Sequence, residues 1–212
     1  MIKNPQDKNR HALVIWGGWE GHQPQQVAEI VAAGLRQRSF TVTIAETETA
    51  LISEDLEKVD LIAPVWSRGI PPSDAMQALL QGVQAGTGLA TFHGGIDWFA
   101  DREYARMVGG HFVYDTPLQS YTVHVANPNH PLTQGLHNFE VISEMYYLHV
   151  DPANTVLTTT RFDQVWMPNT WIRSYGAGRV FYTSLAHSPE VIQQPEVFDL
   201  LLRGMAWSAR SR

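Results

Sequence analysis

Gly88-Leu-Ala-Thr-Phe-His-Gly-Gly-Ile-Asp97 is an apolar run that stops on a histidine and two glycines. Leu89, Ala90, Thr91 and Phe92 read as a strand buried in a sheet, and Gly94 and Gly95 are expected to let the backbone turn sharply behind it. His93 is then left at the carboxyl end of the strand. In open α/β sheets ligands bind outside that end, where loops diverge and helix amino termini point into the crevice. His93 is therefore the first candidate site residue.

Upstream, Ala12 to Ile15 is a second apolar run, followed by Trp-Gly-Gly-Trp and then Glu20, Gly21 and His22. From Pro24 the apolar positions Val27, Ile30, Val31 and Leu35 recur at helical spacing, so this segment predicts strand, glycine turn and helix. Phe40 to Ala45 and Val59 to Val65 predict two more strands, the latter ending at Trp66. Pro71 and Pro72 are expected to open a helix through about Gln84, which Gly86 and Gly88 terminate. Strands and helices alternating at this spacing predict an α/β fold with a doubly wound, mainly parallel sheet.

Downstream the pattern changes. A short helix is expected over Asp101 to Val108, with Asp97 as a candidate helix cap. Thereafter Tyr121 to Val125, Val141 to Tyr147, Thr155 to Thr160, Thr170 to Ser174 and Arg179 to Ser184 all read as strands, with a hairpin at Gly176-Ala-Gly178. The carboxyl-terminal half is thus strand-rich, an extension of the sheet with some antiparallel pairing. A helix from Pro195 to about Ala209 closes the chain.

The 212 residues suit one domain over 1–212 with a sizeable core. No apolar run is long enough to span a membrane, and Met1 to Arg10 lacks the apolar stretch of a signal peptide, so a cytoplasmic protein is expected. The net charge is −6 without any cluster of Lys or Arg, which argues against nucleic acid as a partner. Cysteine is absent, and with it disulfides, thiolate metal sites and a cysteine nucleophile. Nine histidines and seven tryptophans remain for chemistry and for stacking.

His22 follows the glycine turn of the first strand, so a parallel sheet brings it to the same edge as His93. His187 ends the strand that follows the glycine hairpin, repeating the placement of His93, and His111 follows Gly109-Gly110 as a weaker candidate. Glu144 and Tyr146 lie two apart in a predicted strand and so share a face. A buried carboxylate in that aromatic setting usually has a partner, such as His93, His187 or a metal, the alternative being an edge strand with Glu144 in water. Trp171 and Arg173 are spaced the same way, a pair suited either to stacking on and hydrogen-bonding a carbohydrate or to sheet packing.

Phe92-His-Gly-Gly95, Val108-Gly-Gly-His-Phe112, His130-Pro-Leu-Thr-Gln-Gly135, Glu144-Met-Tyr-Tyr147 and Gly176-Ala-Gly-Arg-Val-Phe-Tyr-Thr-Ser-Leu-Ala-His187 occur in that order. Together they resemble the ThuA-like (trehalose utilisation) family of the class I glutamine amidotransferase-like superfamily. That resemblance implies a flavodoxin-like sheet with flanking helices, in agreement with the periodicity. Catalytic amidotransferases of the superfamily carry a cysteine at the turn after the central strand, where this chain has His93. Without a thiolate, glutamine hydrolysis by that route is chemically closed.

The resemblance further implies a role in the catabolism of trehalose, related disaccharides or their keto forms. Two readings follow for an enzyme. His93, Glu144 and His187 either do acid and base work on a hydroxy or keto sugar, or hold a divalent metal such as zinc, iron or nickel. His22 and His111 are then second-choice ligands, and Trp19, His22, Tyr146, Trp171 and Arg173 candidate substrate contacts. A different reading is a non-catalytic sugar-binding module using Trp16, Trp19, Trp66, Trp98 and Trp171 as stacking surfaces. A third is an interaction protein with a vestigial cleft. A homodimer is compatible with the aromatic content.

Overall fold

The structure is a computed structural model, and it describes residues 10–68 and 72–210. Strands β1 (Arg10–Gly18), β2 (Phe40–Ala45), β3 (Leu61–Ser67) and β4 (Gly88–Phe92) are joined by helices α1 (Pro24–Gln37), α2 (Ala50–Ser53) and α3 (Ser73–Gln84). Helix α4 (Arg102–Val108) leads into β5 (Gly110–Asp115), β6 (Gln119–Val125), β7 (Phe139–Ser143), β8 (Tyr146–Val150), β9 (Thr155–Phe162), β10 (Val165–Tyr175) and β11 (Gly178–Thr183). Helices α5 (Pro189–Ile192) and α6 (Pro195–Ser208) end the described chain. Pro71 and all of the Met1 to Arg10 segment except Arg10 lie outside the described residues.

The large sheet has the order β2-β1-β3-β4-β11-β10-β9-β6-β7. Its first five strands pair in parallel, and the remaining four continue it antiparallel through the β10–β11 and β9–β10 hairpins. Strand β1 shows why both faces are covered. Ala12 and Val14 point to one cluster with α1 and α6, while Leu13 and Ile15 point to the other with α3 and α4, and all four are fully buried. This period-2 division of an all-apolar strand is what a doubly wound parallel sheet requires. Among the described residues, no helix is long and apolar enough to cross a membrane.

One expected strand is two. The run Val141 to Tyr147 breaks at Glu144 and Met145: β7 belongs to the large sheet, whereas β8 pairs with β5 in a separate antiparallel ribbon. The Glu144 and Tyr146 side chains are therefore positioned by a crossing between sheets and not by the pleat of a single strand. Asp97 also differs from expectation. The α4 cap is Asp101, whose carboxylate accepts from the Glu103 and Tyr104 amides, while Asp97 accepts from the Phe112 amide of β5 at 3.3 Å.

Candidate active site at the carboxyl edge of the sheet

Parallel pairing brings the carboxyl ends of β1, β3, β4 and β11 to one edge, with Gly18 opposite Ser67 and Phe92 opposite Thr183. Ser67 closes β3, and His22, His93 and His187 follow the ends of the other three. The chain order reverses between β1 and β3, and there His22 Nδ1 meets Ser67 Oγ at 2.7 Å. The crevice at such a reversal is where this class of sheet binds ligands.

His93 itself carries the turn. Its φ is +47°, in the left-handed region, whereas Gly94 and Gly95 have no positive φ. These glycines serve close approach instead: a Cβ on Gly94 would strike the side chain of Ser67, and one on Gly95 would strike Thr91 Oγ1. Buried tyrosines hold the strained segment, with Tyr182 donating to the His93 carbonyl at 3.2 Å and Tyr104 to the Gly95 carbonyl at 2.6 Å. Gln23, Arg68 and Ala186, which border the same crevice or its histidines, also have positive φ. Non-glycine residues in that region cost energy, and they persist where the surroundings over-determine them.

The polar geometry converges on one atom. His93 Nδ1–H donates to the Ser184 carbonyl at 3.1 Å, which leaves Nε2 as a lone pair. Around that lone pair stand the Tyr146 hydroxyl at 2.8 Å, His187 Nδ1 at 3.0 Å and Glu144 Oε2 at 3.6 Å. Glu144 Oε2 lies 3.2 Å from His187 Nδ1 as well. The His22 ring packs edge-on against both other imidazoles, 4.7 Å from His93 and 5.0 Å from His187. One ligand atom from each of His22, His93, Glu144 and His187 falls within a set whose members all lie within 4.8 Å of one another.

Burial sets the protonation. Full burial holds the His93 imidazole well below its ordinary range, with His22 and His187 adding to the effect. Burial, then His187 and the Arg68 guanidinium, lowers His22 to about 4. Burial pushes the Glu144 carboxyl up, with Asp115 adding to it and His187 and Arg68 opposing it. Both shifted histidines resist protonation in the folded protein and accept it when unfolded. The stability these two histidines contribute to the metal-free protein is therefore fully present above pH 6.5 and is lost progressively as pH falls from about 6.5 towards 4. Thermal melts in chelator from pH 7.5 to 4.5 check this, and His22→Asn should show a shallower slope; an equal slope would place the pH dependence elsewhere.

An open cleft of about 320 Å³ adjoins the cluster, lined by Trp19, His22, Ser67, Arg68, Asp97, Phe112, Asp115, Glu144 and Tyr146 among others. That size suits a small-molecule site. Trp19 is 43% exposed, with the Arg68 guanidinium 4.6 Å over its ring. A smaller recess is lined by His22, Ser67, His93 and His187 among others.

Of the residues singled out in sequence, the structure brings together His93, Glu144, His187, His22, Tyr146 and Trp19. It does not bring Trp171 or Arg173 to the cleft. Trp171 is fully buried, donates its indole N–H to the Val108 carbonyl at 2.8 Å and stacks on Tyr182 at 4.4 Å. Arg173 is spent on Asp151 and Asn154, both at 3.0 Å, beside Gly109 at the end of α4. The two do share a face, but that face is covered by α4. Trp98 is likewise fully buried, and His111 pairs with His149 at 3.1 Å across the β5–β8 ribbon, apart from the other histidines. Ser67, Arg68 and Asp115 went unnoticed. Ser67 closes β3 and Arg68 follows it, the same kind of strand-end signal that marks His93, whereas Asp115 enters from the ribbon and carries no local signature.

The profile of the ThuA family, described as trehalose utilisation, matches residues 11–208. No curated protein matches in sequence. Among solved structures, a ThuA-like protein from Parabacteroides merdae superposes with a TM-score of 0.81 at 18% identity, covering 95% of this chain and 90% of its own. A ThuA-like protein from Bacteroides uniformis gives 0.81 at 19% identity, covering 98% and 93%. The cytoplasmic protein STM3548 from Salmonella typhimurium gives 0.68 at 14% identity, covering 95% and 99%. At these identities the likeness is one of fold.

Proposed function

The chain belongs to the ThuA (trehalose utilisation) family, and on that premise we propose that its cleft takes a neutral sugar and acts on it with the help of a divalent metal held by His22, His93, Glu144 and His187. One observation carries the reading. Three of the ligand atoms are separated by 3.0, 3.2 and 3.6 Å, and donors about 2.05 Å from a tetrahedral zinc are about 3.3 Å apart. For these three the match needs only side-chain adjustments of a few tenths of an ångström, and the His22 ligand atom lies within 4.8 Å of each of them. His93 and His22 stay neutral near pH 7, as ligands must, and each offers its other nitrogen to a fixed partner, Ser184 O or Ser67 Oγ.

A metal in this position supplies a Lewis acid that polarises a carbonyl of a hydroxy or keto sugar and acidifies the neighbouring C–H. The remaining roles fall to the cleft wall. Trp19 offers an exposed indole face on which a sugar ring stacks. Asp97 and Asp115 are carboxylates able to accept sugar hydroxyls or the proton from carbon. Burial raises Asp97 from its ordinary range, which moves it towards the pH at which a general base works well. With Glu144 committed to the metal, Asp97 and Asp115 against the Arg68 guanidinium leave the rest of the lining acidic, which favours a neutral sugar over a phosphorylated one.

Deuterium exchange tests the reading. Zinc-, iron- or nickel-loaded protein is incubated in D2O with neutral mono- and disaccharides and their keto forms, and label at the carbon beside the carbonyl is followed by NMR. The expected result is exchange with loaded protein and none in chelator. Saturable sugar binding that persists in chelator without exchange would instead make the cleft a binding module built on Trp19.

A further inference from the structure

We infer that the Tyr146 hydroxyl is held in reserve by His93 and that filling the metal centre releases it to donate a hydrogen bond to the reacting oxygen of the substrate. This rests on the metal reading of the cluster, and it adds a group beside the metal position that touches the sugar. The starting point is the single lone pair on His93 Nε2. Because the ring's one N–H is spent on the Ser184 carbonyl, Nε2 has nothing to donate, and the 2.8 Å contact is the phenol O–H donating to it, while His187 Nδ1, 3.0 Å from the same atom, has Glu144 Oε2 at 3.2 Å as its own acceptor. A metal coordinated by His93 takes the same lone pair. Coordination and the tyrosine hydrogen bond therefore exclude each other.

Tyr146 is built to stay in place when that bond is lost. It opens β8 directly opposite Asp115 of β5, its ring meets Phe112 edge-on at 4.8 Å, and it lies tilted over the His93 ring at 4.6 Å. The residue is 6% exposed and lines the sugar cleft, and in this inference its freed hydroxyl turns to that space. A fixed donor aimed at an oxygen where negative charge develops, in a site that excludes water, stabilises that charge without reorganising. Asp97 and Asp115, the other polar groups on that side of the cleft, accept as carboxylates. Arg68, 4.6 Å over the Trp19 ring, is an alternative donor in the same lining.

Zinc affinity in chelator-stripped parent and Tyr146→Phe, measured by calorimetric titration with zinc alone, tests the inference without any substrate. The phenylalanine keeps the ring contacts and removes the competing hydrogen bond, so the variant is expected to bind zinc about 2- to 10-fold more tightly. Its deuterium exchange with a sugar substrate should nevertheless fall by about 10-fold or more. Unchanged zinc affinity would make Tyr146 a packing residue and overturn the inference. A loss of affinity of more than about tenfold would make its oxygen a ligand, which also overturns it while leaving the metal reading intact. No uptake of zinc by the parent overturns both.

Discussion

Replacing His93 with asparagine is expected to lower zinc affinity by more than about a hundredfold while the protein still folds. Loss of groups that merely orient a ligand costs 10- to 100-fold, and His93 is the atom on which the other three groups converge. Asparagine is chosen because the residue sits at φ +47° and asparagine tolerates the left-handed region better than other side chains. The carbonyl at this position keeps its hydrogen bond from Tyr182, so the turn has the same support. Calorimetric titration gives the affinity, and a melt in chelator shows that the fold survives. Zinc binding at parental affinity in a folded His93→Asn protein would remove His93 from the centre.

The second large effect is on stability and lies away from the chemistry. Trp171→Ala is expected to destabilise the protein by about 3–5 kcal/mol, the usual cost of emptying a fully buried aromatic site. Trp171 has no exposed surface, and its N–H is the partner of the Val108 carbonyl at the end of α4, so truncation leaves both a cavity and an unpaired buried acceptor. Its ring also backs Tyr182, which holds the His93 carbonyl. Denaturant unfolding of the metal-free protein reads the loss. Trp171→Phe keeps most of the volume and is expected to bind zinc and sugar as the parent does. A Trp171→Phe protein of parental stability with lost sugar binding would return this residue to the cleft.

Much of the site was legible because the apolar runs end where the chemistry begins. His93 and His187 each follow a buried strand, and parallel pairing fixes their common edge without any knowledge of side-chain packing. Alternation along a strand says which residues share a face and nothing about what covers it. Trp171 and Arg173 share a face as their spacing requires, but α4 lies over it. Glu144 and Tyr146 reach the same histidine for a reason the spacing does not contain, since the chain leaves one sheet and enters another between them. The two glycines after His93 read as the turn, whereas the left-handed residue is the histidine and the glycines make room for Ser67 and Thr91. Nothing in sequence distinguishes those uses, because both demand the absence of a Cβ.

Elemental analysis of the protein purified without chelator, alongside His93→Asn and Glu144→Gln prepared in parallel, tests the central claim most directly. The expected result is close to one equivalent of zinc, iron or nickel per chain in the parent and a small fraction of that in both variants. Parent protein that carries no transition metal, and takes none up when zinc, iron(II) or nickel is supplied, would contradict the metal centre and leave the imidazoles to acid and base work.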